Sequence, residues 1–493
     1  MIGKQNRWQG TLFMTGSLEE LIPSDHILKR VDKVLDLSWL HKEVSDCYCD
    51  SNGRPGIDPE AAVRLMLAGF FQGMVHDRKL MREAQVNLAT RWFAGYRLDE
   101  KLPDHSSLTR IRQRWGAERF KKIFQKTVEA CIKAKLVSGE TVHVDATVIR
   151  ADVSWESLTT EHAYKVLEEN RDIESEDTCI EEDVQKKRGR PRTRPIYPKK
   201  HSATDPEATM VTSNKSQRLE PSYKQHTMVD DKTGIIVDIE LTTGEVNEGT
   251  RLIEGVNRVI EGVNRVEAIT GKKVERVTAD ASYAHPKNYE AMEARGTDAI
   301  IPPMRERTAP RNIPIRRFSY DGKNKTVRCP TGKFMQRSHK MEKGWMYRAK
   351  SRDCKVCQLI KRCLSPTAKA RTVLIVDGYE ALLRARRRKL RWDEDTRHWY
   401  SRHRWRVEGV HGEAKTQHGL RRAVRRGLMN VAIQVYMTAI VMNLKRLATL
   451  LSYFLRIKNN VFGLKQEFEK KRIFLNGYWG RCQENRFDVV LAA

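Results

Sequence analysis

Residues 141–149 read Thr-Val-His-Val-Asp-Ala-Thr-Val-Ile, and the reading of this stretch decides the fold. Apolar and polar residues alternate around Asp145 with the period of two that a half-buried strand requires. A second strand-type run, Val274-Glu-Arg-Val-Thr-Ala, ends at Asp280. Between them, YKQHTMVDDKTGIIVDIELTTGEVNEG (223–249) reads as a hairpin turning at Asp231-Lys232-Thr233-Gly234. Helical periodicity follows over 248–263, then the run to Asp280, a short helix after His285 and a strand in DAIIPP (298–303). The order strand, hairpin, helix, strand, helix, strand predicts an α/β class with a mixed sheet, here over 139–311.

Outward from this core, residues 1–135 read as an all-helical N-terminal domain. DPEAAVRLMLAGFF has helical apolar spacing, with Asp58 as cap and Pro59 in the first turn. After the break LDEKLPD, Ser106 or Ser107 is placed to cap a basic helix carrying Arg110, Arg112 and Arg114. Helix, Pro-containing turn and basic helix suit a helix-turn-helix DNA reader, and equally an ordinary bundle with a solvated basic face. The charged stretch 155–222 contains KKRGRPRTRP, where Arg188 and Arg190 flank a Gly in the manner of a minor-groove hook; a solvated charge run reads the same way. Residues 312–375 are basic and cysteine-bearing, 376–456 are helical and carry Glu408, and the tail 457–493 is uninformative.

The chain has 493 residues, 91 Lys and Arg against 63 Asp and Glu, and a formal charge of +28. Such an excess seeks a polyanion, with nucleic acid the commonest and anionic membrane the competitor. The best apolar run, roughly 431–444, is interrupted by Gln434, Thr438 and Asn443, so no membrane span is expected. With no secretory leader and an odd nine cysteines, the expectation is a soluble, reduced, cytoplasmic protein bound to the nucleoid.

Three acids give the chain its chemistry. Asp145 and Asp280 follow strand-type runs, and Glu408 lies on a basic helix, YSRHRWRVEGVHGEAK. Carboxylate oxygens suit Mg²⁺ or Mn²⁺, and a pair of such ions about 3.5–4 Å apart serves in-line attack on a phosphodiester. Singly, each acid reads as a turn or cap residue; the case rests on the three together. Tyr400, Arg404, Glu408 and Lys415 are separated by four, four and seven residues and share nearly one helical face. That face suits a DNA strand, with Arg404 and Lys415 on phosphates, and it also suits a ladder of surface ion pairs. Glu413, five residues beyond Glu408, points elsewhere. Cys329, Cys354, Cys357 and Cys363, spaced C-x24-C-x2-C-x5-C, fit either a structural Zn²⁺ knuckle or reduced thiols packing a small subdomain. His226 and His285 read as structural histidines near the site.

These residues resemble bacterial insertion-sequence transposases of the DDE type, in the superfamily marked by a Tyr-Arg-Glu-Lys signature. The resemblance runs through GRPGIDPEAAVRL onward, HVDATVIRADVS, HSATDPEA, the hairpin segment, ADASYAHPKNYE and the Glu408 helix. It implies an RNase H-like catalytic core, double-stranded DNA partners at terminal inverted repeats and at a target, a homodimer on DNA, and Asp145, Asp280 and Glu408 as catalytic metal ligands. The signature spaces its residues Tyr, two, Arg, three, Glu, six, Lys; here Tyr400 stands one residue early and Ser401 takes its place. The remaining alternatives are a non-catalytic DNA-binding protein from a decayed or domesticated element, and a structure-specific nuclease without strand transfer.

Overall fold

The computed structural model describes residues 16–49, 56–159, 201–211, 219–244, 273–304, 313–341, 343–365, 367–450 and 453. Arg188, Arg190, the helix expected over 248–263 and the tail lie outside them.

The helical N-terminal region holds α1 (Ile27–Asp32), α2 (Leu40–Val44), α3 (Pro59–Phe71), α4 (Asp77–Val86), α5 (Leu88–Phe93) and α6 (His105–Lys133). Asp58 caps α3 as expected, accepting from the Ala61 N–H, with Pro59 at the first position. At α6 the cap is Asp104, which accepts from the Ser106 N–H, rather than either serine. A carboxylate two residues before Ser106 starts the helix that much sooner, takes one of its free first-turn amides and adds favourable charge at the helix start. Gly116 breaks α6 with φ 68°, a left-handed geometry cheap only for glycine.

The main sheet is built from β1 (Thr141–Arg150), β4 (Thr209–Val211), β5 (Glu220–Asp230), β6 (Ile236–Thr243), β7 (Arg276–Ala279) and β8 (Asp298–Ile300), with a small ribbon β2 (Leu158–Thr159) and β3 (His201–Ser202) beside it. Both ends of the charged stretch 155–222 are therefore strand-bearing. The order is β6-β5-β1-β7-β8, with β4 also pairing β5; β5 and β6 run antiparallel, and β7 and β8 run parallel to β1. Helix α7 (Pro286–Arg295) connects β7 to β8 and ends at Gly296 in the left-handed region. The expected hairpin turns where the sequence places it, with the Gly234 N–H bonded to the Asp230 carbonyl at 3.1 Å.

Residues 313–376 form a second, five-stranded antiparallel sheet: β9 (Ser319–Asp321), β10 (Thr326–Arg328), β11 (Phe334–Met341), β12 (Gly344–Arg348) and β13 (Thr372–Val376). Two short helices, α8 (Ser351–Lys355) and α9 (Ile360–Cys363), bridge β12 to β13. The chain then runs through α10 (Tyr379–Leu390) and α11 (Glu394–His403), a π-helical turn over Arg404–Glu408, and α12 (Gly409–Gln417). Helix α13 spans Leu428–Leu450.

Alternation along β1 assigns the two faces of the main sheet. Val142 and Val144 join Val277, Ala279, Tyr289 and the second sheet in one apolar cluster. His143, Asp145, Thr147 and Ile149 face the other way, toward the side closed by α12 and α13. A single core on that side runs without a break from Leu28 and Phe93 through Tyr223 to Val407 and Ile440. The helical N-terminal region is thus packed against the half that carries β5, β6 and α13. Gly73 shows how closely: with φ +69°, a side chain there would meet the Gln417 carbonyl at 2.7 Å.

Helix α13 is long and apolar enough to cross a bilayer, longer than the run read from sequence, yet most of it is buried inside the fold. Three buried polar residues along it explain the assignment. Asn443 holds the Ile236 N–H and C=O at 2.9 and 2.8 Å. Gln434 accepts from the Val424 N–H and donates to the carbonyls of Gly419 and Arg422. Thr438 donates to Gln434. Groups that would be costly in lipid serve here to stitch the helix to its neighbours.

Candidate active site

Parallel pairing of β1 with β7 sets Val142 beside Val277, His143 beside Thr278 and Val144 beside Ala279. The next residues in each strand direction are Asp145 and Asp280. Neighbouring strands lie about 4.8 Å apart, so the two carboxylates emerge side by side on one face. Asp145 is held by its neighbour, Oδ1 accepting from the Ala146 N–H at 2.8 Å. Asp280 caps the turn Ala281–Tyr283, accepting from the Ser282 N–H and hydroxyl at 2.8 and 3.0 Å. Its cap role and its place beside Asp145 are compatible.

The segment from α11 to α12 lies over that face. His411 is buried, with Nε2 3.1 Å from the Thr227 hydroxyl and Nδ1 3.7 Å from Asp145. Burial drives its imidazole down to about 3, with Lys415 adding to the effect, so it is neutral at pH 7. Lys415 is itself pulled down by burial and by Arg421, while Asp145 opposes the shift. Tyr400 packs against Trp392 and stacks on His403; burial raises its phenol, and the Asp280 charge raises it further. Tyr400 therefore senses Asp280, and Lys415 senses Asp145. Glu408, on the π turn between them, is exposed and pairs with Arg404 at 3.3 Å. Glu413 is excluded as the third acid: it binds Lys445 at 2.9 Å and Arg446 at 2.8 Å.

The donor set is of the hard-oxygen type that divalent cations require. Asp145 and Asp280 are brought together. Among the described residues, however, no group of three or more His, Cys, Asp or Glu side chains is closed around a metal position. Glu408 is turned to Arg404, so completing the set requires that exposed pair to part.

Beneath the carboxylates is a buried network that the sequence reading missed. His143 Nε2 lies 2.9 Å from Asp231 Oδ1, and its Nδ1 bonds the Thr278 hydroxyl. Thr278 Oγ1 is 3.4 Å from His403 Nδ1. Arg402 clasps Asp231 through Nε at 2.7 Å and Nη2 at 2.8 Å. Burial opposes the Asp231 charge, but Arg402 and His143 hold its carboxyl below the usual range. The only sequence signal was the alternation itself, which places His143 and Thr278 two residues before the aspartates, on the same face. His226, by contrast, is the structural residue expected, bonded to Thr242 at 3.0 Å.

Two other expectations change. Arg110 is exposed on α6, as a DNA contact requires. Arg112 is not: it is buried and bound to Asp77 by two 2.6 Å hydrogen bonds, with Arg425 on the same carboxylate at 2.7 Å. Its spacing two residues from Arg110 turns it into the core. The four cysteines gather at one end of the second sheet as free, half-buried thiols. Burial pushes the Cys363 thiol up, and the charges of Cys354, Cys357 and Cys329 add to that push. HSATDPEA also finds a role. Asp205 accepts from the Tyr223 hydroxyl and the Gly427 N–H, and Glu207 accepts from the Leu428 N–H at the start of α13.

Two family models match. One is the Transposase domain (DUF772), over residues 16–114; the other is the Transposase DDE domain, over 328–448. The second range contains Tyr400, Arg404, Glu408, Lys415 and all four cysteines; Asp145 and Asp280 lie outside both. No curated protein matches in sequence. Among solved structures, the piggyBac transposase synaptic complex with hairpin DNA is similar at 11% identity, covering 85% of this chain and 73% of that one, with a TM-score of 0.30. The Mos1 mariner paired-end complex with Mn is similar at 13% identity, covering 53% of this chain and 65% of that one, with a TM-score of 0.16.

Proposed function

We propose that the chain is a DDE-type transposase, an enzyme that cleaves DNA and transfers the strand, with Asp145, Asp280 and Glu408 as its catalytic acids on an RNase H-like core. The observation that carries the reading is the parallel register of β1 and β7, which sets two of the acids side by side beneath the segment bearing the third. The sheet order β6-β5-β1-β7-β8, with β6, β5 and β1 successively antiparallel and the rest parallel to β1, supports the core assignment.

Asp145, between Asp280 and Lys415, would hold both of two Mg²⁺ or Mn²⁺ ions, with Asp280 and Glu408 completing one site each. Such ions supply Lewis acidity at the attacking and leaving oxygens. The chain's own groups do the rest. Arg404, exposed beside Glu408, takes a phosphate next to the scissile bond, and its withdrawal frees Glu408 for the metal face. Lys415 takes the neighbouring phosphate near Asp145. Tyr400, packed against the tilted Trp392 ring with the Lys389 ammonium over its own, borders the strand end near Asp280. Neutral His411 braces Asp145 without adding a competing charge. Arg110 on α6 grips the duplex backbone. The DNA is read as the element's inverted-repeat ends and a target duplex, engaged by two copies of the chain so that each end meets one active site. The cysteine quartet takes a structural Zn²⁺ once its thiols close.

The test is nicking of a supercoiled plasmid carrying the DNA that flanks the gene. Asp145→Asn, Asp280→Asn and Glu408→Gln should each abolish Mg²⁺-dependent nicking while retaining DNA binding. Full nicking by any one of them removes that residue from the site.

A further inference from the structure

The network under the carboxylates joins four separate parts of the chain. Asp231 belongs to the β5–β6 turn, His143 to β1, Thr278 to β7, and Arg402 and His403 to the end of α11, immediately before the π turn that carries Glu408. The Asp231 carboxylate can only accept, so His143 donates to it from Nε2, and the Thr278 hydroxyl donates to the Nδ1 that this tautomer leaves as an acceptor. That leaves the Thr278 oxygen to accept from His403 Nδ1. Arg402 closes the chain by donating twice to Asp231, in the bidentate geometry that lysine cannot reproduce. Arg406, two residues before Glu408, adds a bond to the Lys232 carbonyl at 2.9 Å.

We infer that Thr278, His143, Asp231 and Arg402 are positioning residues that lock the Glu408 segment in place over Asp145 and Asp280. The inference rests on the reading of those three acids as metal ligands. The argument is one of placement. Glu408 is exposed, and its own contact is a surface pair with Arg404, which holds a side chain loosely. What fixes its backbone is the set of bonds made just before it, by Arg402 to Asp231 and by His403 to Thr278, two positions before Asp280. The two strands and the helix thereby share one buried polar joint, and displacement of any member moves one ligand against the other two. Groups that orient metal ligands typically change metal affinity or activity by about 10–100-fold when removed.

Thr278→Val keeps shape and removes the hydroxyl, whereas Thr278→Ser restores it; Arg402→Lys keeps charge and removes the fork. Each full-length variant is compared with wild type for thermal stability, for binding to the flanking DNA, and for plasmid nicking across a Mg²⁺ and a Mn²⁺ titration. Thr278→Val and Arg402→Lys should raise the half-saturating Mg²⁺ by about tenfold, with partial recovery in Mn²⁺ and unchanged DNA binding; Thr278→Ser should behave as wild type. Wild-type Mg²⁺ dependence in a folded Thr278→Val overturns the inference. If that variant does not fold, the same result in Arg402→Lys overturns it. Asp145→Asn and Glu408→Gln run alongside: nicking by these at any metal concentration would reject the acid assignment itself, a separate failure from that of the joint.

Discussion

Arg112 and Asp77 are joined by two 2.6 Å hydrogen bonds, and neither side chain is more than a few per cent exposed. Because Arg425, after α12, reaches the same carboxylate, this pair ties α4 and α6 to the catalytic half. Burial opposes the Asp77 charge, and Arg112 and Arg425 hold the carboxyl below its usual range. Removing one partner of a buried pair strands the other charge, at a cost of about 3–5 kcal/mol. Asp77→Ala should lose stability on that scale in chemical denaturation. A loss under about 1 kcal/mol would show that solvent reaches the pair.

Arg404 makes the opposite case. Its pair with Glu408 is exposed, and such pairs contribute about 0–1 kcal/mol. Arg404→Ala should leave the melting temperature within a degree or two, while weakening DNA binding and lowering the salt slope by about one counterion. A large loss of stability with an unchanged salt slope would make Arg404 a structural residue.

Acid sensitivity should be traceable to Glu413. Its ordinary value is 4.5; burial raises it, but His418, Arg446 and Lys445 bring it down to about 2. A carboxyl depressed in the folded state contributes stability above pH 4.5 that is lost progressively as pH falls toward 2. Glu413→Gln should therefore be less stable than wild type at pH 7, with the difference shrinking across that window. Equal pH profiles in urea melts would mean that Arg446, Lys445 and His418 do not hold this carboxylate in solution.

Asn443 tests α13. Asn443→Leu removes both bonds to Ile236 and leaves that buried N–H and C=O unpaired, at about 1–3 kcal/mol for each group. Stabilisation by this substitution would contradict the packing of α13 on β6.

Zinc analysis addresses the cysteines. Purified protein should carry about one Zn²⁺ per chain, lost in Cys354→Ser with Cys357→Ser and retained in Asp145→Asn. Metal-free protein with four titratable thiols and full nicking activity would leave Cys329, Cys354, Cys357 and Cys363 as packing residues.

Much of the architecture was legible because local rules carried it. Alternation around Asp145, the Asp231–Gly234 turn, and Asp58 with Pro59 each act within a few residues. Arg112 was misread because its partner lies 35 residues away and nothing local distinguishes a buried arginine from a solvated one. The His143–Asp231–Arg402 joint was invisible for the same reason, since its members are separated by 88 and 171 residues. Gln434 and Asn443 read only as interruptions of an apolar run, because their partners appear only once the chain has folded.

The π turn at Arg404–Glu408 changes how distance along this helix should be counted. An i→i+5 turn takes up one residue more than an α turn does, without adding a turn. Between Arg404 and Glu408 the backbone therefore rotates through less angle per residue than in the α-helices on either side. The faces of α11 and α12 are offset from each other by that one turn, so a residue's direction beyond Glu408 is not given by counting steps of about 100° from Tyr400.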